Sequence, residues 1–205
     1  MGAIMIKNII FDLGNVLVKY SPENFLGKYV KSENQEVFIT NVFKSKEWLE
    51  LDRGTLSYED AIEIFSKRVP EEKESIERLF RENISSCISP IKENVEIMRN
   101  LKKNGYSVYI LSNFHQPAFE YIKENWDFIR EFDGDVVSCY YHYIKPERAI
   151  YETILNKYNL IPSETIFIDD VEANIKGAKE VNIDGIHLPD FKNLKVLLKD
   201  KGIKI

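Results

Sequence analysis

Apolar residues in this chain recur in two rhythms, and the change of rhythm divides it into three stretches. The first is short. Ile9-Ile10-Phe11 is a continuous apolar run followed by the turn-prone Gly14-Asn15, which predicts a buried strand feeding a turn. Residues 21–89 show no convincing strand pattern; helical patterns follow one another instead. Val37, Phe38, Val42 and Phe43 make one apolar stripe. Ala61, Ile62, Phe65 and Val69 make another, opened by a capping-box-like Ser57 with Asp60. Pro70 and Pro90 punctuate the ends. From Pro90 onward helices and strands alternate. Ile91, Val95, Met98 and Leu101 line a helical face closed by Gly105. Strands are predicted at residues 107–111, 136–139, 165–168 and 185–188. Helices are predicted around 117–124, 149–158 and 175–181, and a terminal one carries Leu194, Leu197 and Leu198.

Strands alternating with helices of this length predict a parallel sheet covered on both faces. The expected fold class is therefore α/β, a Rossmann-like parallel sheet core with helices on both faces. Residues 1–20 and 90–205 supply that core, and residues 21–89 form a helical domain inserted after the first strand. At 205 residues, 44% apolar and 30% charged, the chain has the composition of a globular protein with room for one core and a smaller inserted one.

Charge and cysteine usage narrow the function classes. The net charge is −5 with both signs interspersed, and no basic stripe suggests nucleic acid as a partner. Cys87 and Cys139 lack CxxC spacing and read as small buried hydrophobes rather than a disulfide framework or metal ligands. The apolar stretch near the start is interrupted by Lys7, Asn8 and Asp12, too short for a membrane span and unlike a secretory signal. A cytoplasmic protein, monomeric by default and without a membrane partner, is the expectation.

Candidate chemistry gathers where the strands end. In open α/β sheets, ligands bind beyond the carboxyl ends of the strands. The first predicted strand ends in Asp12, the second in Ser112-Asn113 and the fourth in Asp169-Asp170, while Lys145-Pro146 follows the third. Carboxylates converging there repel one another and are costly to desolvate. A divalent cation with oxygen ligands relieves both penalties, and Mg²⁺ suits one or two carboxylates that meet a phosphate. Asp169-Asp170 also suits capping of the helix that begins near Glu172.

Phe11-Asp12-Leu13-Gly14-Asn15-Val16, Leu111-Ser112-Asn113, Lys145-Pro146-Glu147 and Phe167-Ile168-Asp169-Asp170, in that order, resemble the four motifs of the haloacid dehalogenase-like hydrolases. The match looks nearest to their bacterial sugar phosphatases of the α-glucose-1-phosphate phosphatase type, with residues 21–89 in the place of the helical cap. The resemblance implies a hydrolase of phosphoric monoesters, its substrate a small phosphate ester. Asp12 would be the nucleophile that forms an aspartyl-phosphate. Asp12 and Asp170 would hold Mg²⁺ with the Gly14 carbonyl, Asp169 assisting directly or through water. Ser112 and Asn113 would bind the phosphate, and Lys145 would neutralise the cluster and the developing charge. Arg53, between two helical patterns of the insert, either faces the substrate or is a surface arginine.

One position departs from the family pattern. Most phosphatases of this type carry a second aspartate two residues after the nucleophile, as general acid and base; here that residue is Gly14. Good leaving groups tolerate a weak acid, so sugar 1-phosphates are favoured over simple alkyl phosphates. Glu147, or Glu50 or Asp52 from the insert, are the replacement acids the sequence offers. Two other functions stay open. One is a metal-independent haloacid dehalogenase on the same scaffold; the other is a catalytically silent phosphometabolite-binding module. His115, His142 and His187 do not form ligand spacings, although His115 follows Ser112-Asn113 closely enough to line a pocket. Tyr140, Tyr141 and Tyr143 read as packing or a pocket wall.

Overall fold

Ile9, Ile10 and Phe11 are all fully buried, so the strand that carries them has no solvent face. Such a strand needs partners on both edges and layers on both sides. The computed structural model, which describes residues 5–205, supplies them. The first four positions of the predicted core segment 1–20 lie outside the described residues. The strands, in chain order, are β1 (Asn8–Phe11), β2 (Val18–Tyr20), β3 (Ile88–Pro90), β4 (Ser107–Ser112), β5 (Gly134–Val137), β6 (Thr165–Asp169) and β7 (Asp184–His187). Five of them form one sheet in the order β5-β4-β1-β6-β7, and every pairing in it is parallel.

Helices are α1 (Pro22–Tyr29), α2 (Gln35–Phe38), α3 (Lys46–Arg53), α4 (Tyr58–Arg68), α5 (Lys73–Arg78), α6 (Lys92–Lys103), α7 (Gln116–Asn125), α8 (Ser138–Tyr141), α9 (Arg148–Tyr158), α10 (Glu172–Glu180) and α11 (Leu194–Asp200). Alternation along the strands distributes them. Ile9, Phe11, Val108, Ile110, Ile166 and Ile168 face one side and pack with α6, α7 and α11 through Met98, Ile122 and Leu198. Ile10, Tyr109, Leu111 and Phe167 face the other and meet α9 and α10 through Ile150, Ile154 and Ala178. No helix among the described residues is long and apolar enough to cross a membrane.

Helices α1 to α5 pack around a separate cluster containing Phe25, Phe38, Leu51, Phe65 and Ile76. A fully buried phenylalanine contributes about 1.5–3 kcal/mol, so this stretch has a core of its own. Ser57 opens α4 as its pattern predicts: its Oγ accepts from the Asp60 N–H at 3.1 Å and donates to Asp60 Oδ2 at 2.7 Å.

Three details differ from the sequence reading. The chain enters and leaves the helical stretch through β2 and β3, which pair antiparallel, Val18 with Pro90 and Tyr20 with Ile88. Strands of three residues are too short to show a period. The strand predicted at residues 136–139 stops at Val137 and turns into α8, where the Ser138 hydroxyl accepts from the Phe114 N–H at 3.0 Å and donates to the Asp52 carbonyl. Val37 is 42% exposed although Phe38 and Val42 are buried, because at about 3.6 residues per turn it stands at the edge of the face those two share; a π-helical turn follows at Ile39–Phe43.

Candidate active site

Parallel strands end at the same edge, and the register decides which end residues are neighbours. Phe11 lies abreast of Ile110 and Ile168, so one step later Asp12 sits beside Asp169. Carboxylate oxygens of Asp12, Asp169 and Asp170 all lie within 4.8 Å of one another. Lys145, buried to 1% exposure, reaches between two of them: its Nζ is 2.8 Å from Asp12 Oδ1 and 2.7 Å from Asp169 Oδ2. Its backbone is fixed by Asn113, whose side-chain oxygen accepts from the Lys145 N–H at 2.8 Å and whose Nδ2 donates to the Lys145 carbonyl at 3.1 Å.

The two oxygens of Asp12 are not equivalent. Oδ1 accepts from the Leu13 N–H and the Ser112 hydroxyl, each at 2.7 Å, as well as from Lys145. No donor among the described residues reaches Oδ2, which lies on the Gly14 side, 3.8 Å from where a Cβ on Gly14 would stand. Asp169 is saturated in contrast. Its oxygens accept from the Val171 N–H at 2.8 Å, from Asn174 Nδ2 at 3.0 and 3.1 Å, and from Lys145. Asp170 is half-buried, and its Oδ2 accepts from Asn15 Nδ2 at 3.0 Å.

Electrostatics follow from this crowding. Burial holds the Asp12 carboxyl well above the usual carboxylate range; Lys145 opposes the rise and Asp169 adds to it. Asp170 is likewise raised by burial, against its bond from Asn15. Burial alone would lower Lys145, yet the charges of Asp12 and Asp169 keep it above its ordinary value. Three carboxylates against one ammonium leave an excess of negative charge in a place shielded from water. Oxygen donors in that surplus are the set a hard divalent cation takes. Asp12 and Asp170, with Gly14 adjacent, fit such an ion; Asp169 has its oxygens committed to protein donors.

A cavity of about 270 Å³ opens beside the cluster, between the core and the helical stretch. Gly14, Asn15, Asn113 and Asp170 line it from the core, and Asp52 at the end of α3 faces them with His115. Both β2 and the segment leading to β3 contribute walls, so the small sheet missing from the sequence reading forms part of the cavity lining.

The remaining candidates separate clearly. Arg53 does not line this cavity. Its guanidinium makes two bonds to Glu147, at 2.6 and 3.0 Å, and one to the His142 carbonyl at 3.0 Å, which hold it against residues 142–147. Glu147 is held below its ordinary carboxylate range by that arginine. Glu50 is exposed and accepts from the Thr55 hydroxyl. His142 Nδ1 lies 3.0 Å from the Arg53 carbonyl and His187 Nε2 3.0 Å from the Asp170 carbonyl, both structural positions. Tyr140 and Tyr143 are each 44% exposed, but the Tyr140 ring meets Phe119 edge-on and Tyr141 packs against the core as predicted. Cys87 and Cys139 are free and buried. Asn15 and Asn174, which orient Asp170 and Asp169, escaped sequence reasoning. Their only signal was an amide three residues past Asp12 and another five past Asp169.

Comparison with known proteins adds a family context. The family model described as haloacid dehalogenase-like hydrolase matches residues 6–182. A sesquiterpene phosphatase of Aspergillus oryzae is 28% identical over 187 residues, 90% of this chain and 90% of its own length. A D-ribitol-5-phosphate phosphatase of Bacteroides thetaiotaomicron is 25% identical over 88% of this chain and 90% of its own. Two other relatives are much longer, and the chain spans 20% and 34% of them. Among solved structures, a HAD family enzyme of Bacteroides thetaiotaomicron in complex with magnesium and inorganic phosphate shares the fold. Its TM-score is 0.71 at 21% identity, over 89% of this chain and 93% of that one.

Proposed function

The chain belongs to the haloacid dehalogenase-like hydrolases and is an enzyme acting on phosphoric monoesters, and from that premise we propose a Mg²⁺-dependent phosphatase that works through an aspartyl-phosphate on Asp12. The observation that carries the proposal is the excess of carboxylate over ammonium at the ends of β1 and β6. Asp12 and Asp170, with the Gly14 carbonyl, would hold Mg²⁺, and Asp169 would support them through Lys145 and water. When bound, the ion neutralises phosphoryl oxygens and stabilises the charge that develops on transfer.

The protein's own groups do the rest. Three donors on Oδ1 fix the Asp12 carboxylate and leave Oδ2 bare to attack phosphorus, while the ester oxygen departs. Ser112 and Lys145 stand beside that point to bind phosphoryl oxygens, and Asn113 holds Lys145 in place. Removal of one such donor typically costs about 10²–10³ in turnover. The helical stretch 21–89 acts as a cap that shields the cavity from water and sorts substrates.

The substrates are small phosphate monoesters, sugar phosphates among them. The relative named for D-ribitol 5-phosphate, and one named for phosphorylated carbohydrates, support that class. Sugar 1-phosphates are favoured over 6-phosphates because an anomeric hydroxyl leaves with less help from an acid. The test is a screen of sugar 1-phosphates, 6-phosphates and nucleotides with Mg²⁺ and with chelator. Phosphate release that needs Mg²⁺ and vanishes in Asp12→Asn is the expected result. Chloride release from 2-chloropropionate that survives chelation points to a dehalogenase instead, and phosphosugar binding without turnover points to a silent binding module.

A further inference from the structure

Cleaving the phosphate ester of an ordinary alcohol leaves an alkoxide that must gain a proton. Freeing Asp12 afterwards requires water that must lose one. Gly14 can do neither. Most titratable groups around the site are committed elsewhere: Lys145 bridges Asp12 and Asp169, Asp169 is saturated by donors, and Glu147 is paired with Arg53. Asp52 differs. It lines the same cavity as Gly14 and Asp170, and no lysine or arginine among the described residues pairs with it. Its Oδ1 lies 3.3 Å from Nε2 of His115, a buried ring that burial pulls down to about 3 and so keeps neutral.

The position of Asp52 is built by the core. Its carbonyl accepts from the Ser138 hydroxyl. Arg53, next in the chain, clamps Glu147 and the His142 carbonyl. Gly54 follows in the left-handed region at φ +74°, seated so closely on Cys139 that a Cβ there would strike its carbonyl. Three consecutive residues of the insert are therefore fastened to residues 138–147, the same segment that presents Lys145 to the cluster.

We propose that Asp52 is the acid–base residue of this site, resting on the phosphatase function above. In the first step Asp12 Oδ2 bonds to phosphorus, the bond to the ester oxygen breaks, and that oxygen takes the proton of the Asp52 carboxyl. In the second, the Asp52 carboxylate takes a proton from water as the water oxygen bonds to phosphorus and the bond to Asp12 breaks. Inorganic phosphate leaves, with Asp12 ionised and Asp52 protonated again. Burial pushes the Asp52 carboxyl up to about 7, with the charge of Asp12 adding to the rise and Lys145 opposing it, so both protonation states are accessible near neutrality.

The experiment compares wild type with Asp52→Asn in excess Mg²⁺, on two esters of similar shape: p-nitrophenyl phosphate, whose phenolate leaves unaided, and benzyl phosphate, whose alkoxide does not. Asp52→Asn is expected to lower kcat/KM for benzyl phosphate by about 100-fold or more and for p-nitrophenyl phosphate by less than about tenfold. Rapid mixing with the nitrophenyl ester should show a burst of nitrophenol before a slow steady state, because the phosphate on Asp12 then lacks its base. Equal losses on both esters, without a burst, overturn the assignment. Turnover of the nitrophenyl ester also reports that the site has folded, and Asp52→Ser decides the matter on the same esters if the asparagine variant does not fold. A wild-type protein that hydrolyses neither these esters nor any sugar phosphate of the screen above refutes the phosphatase function itself, whereas equal losses from an active wild type strike Asp52 alone.

Discussion

Replacing Lys145 with methionine keeps the length of the side chain and removes the ammonium that lies 2.8 and 2.7 Å from two buried carboxylates. Breaking a buried ion pair from one side costs about 3–5 kcal/mol, since the abandoned charge stays desolvated. For a chain of 205 residues that is a fall in Tm of roughly 10 °C. The sign of the pH dependence follows from Asp12, whose folded-state carboxyl is already raised by burial and rises further without Lys145. A raised carboxyl favours the folded state when protonated, so the penalty is largest above the folded value and shrinks as pH falls towards the ordinary carboxylate range. Magnesium offsets it to the extent that it binds the variant, with one fewer competing cation, more tightly than wild type; a hundredfold tighter dissociation constant returns about 2.7 kcal/mol at saturation. The assay is urea unfolding followed by Trp48 and Trp126 fluorescence at pH 8 and pH 5, with chelator or with Mg²⁺. A loss near 4 kcal/mol at pH 8 in chelator, smaller at pH 5 and smaller with Mg²⁺, is expected. A loss under about 1 kcal/mol, or one indifferent to pH and metal, refutes the electrostatic account of the cluster.

Other perturbations bear on separate parts of the molecule. Gly54→Ala adds about 1–2 kcal/mol of left-handed backbone strain and a methyl against the Cys139 carbonyl. Kinetics on benzyl phosphate should show a lower kcat/KM while a Mg²⁺ titration stays near that of the wild type. Asp170→Asn should raise the Mg²⁺ concentration for half-maximal turnover of p-nitrophenyl phosphate by at least about tenfold, with residual activity at saturating metal. Arg68 makes two bonds of 2.9 Å to Glu47 and, through them, holds its carboxyl down to about 2. Such a depressed carboxyl stabilises the fold above its ordinary value of 4.5 and loses that effect as pH falls towards 2. Urea unfolding of Glu47→Gln should therefore show a deficit of about 1–2 kcal/mol at pH 7 that narrows steadily between pH 5 and pH 3.

Legibility in the sequence tracked the length of each signal. Continuous apolar runs such as Ile9-Ile10-Phe11 and Thr165-Ile166-Phe167-Ile168 announced strands buried on both faces, and the parallel sheet followed from their alternation with helices. Carboxylates at the ends of those runs could be brought together on paper because parallel strands share an edge. Side chains committed to partners from distant segments could not be read that way. Arg53 carries the same charge in sequence whether it meets a substrate or Glu147, and only folding places residue 147 beside it. Asp52, Glu50 and Glu147 were equivalent as candidate acids until the structure exposed one, paired another and set the third against the cavity. The β2–β3 ladder and the π-helical turn after α2 left no trace because three strand residues or one widened turn fall below any period.

The measurement closest to the central claim is the anomalous scattering of Mn²⁺ in crystals of the wild-type protein, since Mn²⁺ takes the oxygen ligands of Mg²⁺. A single strong peak within about 2.2 Å of both an Asp12 carboxylate oxygen and an Asp170 oxygen is expected, and it should disappear in Asp12→Ala crystals treated identically. Crystals in which the two carboxylates hold no ion at saturating Mn²⁺, from protein whose ester hydrolysis withstands chelation, would contradict the account.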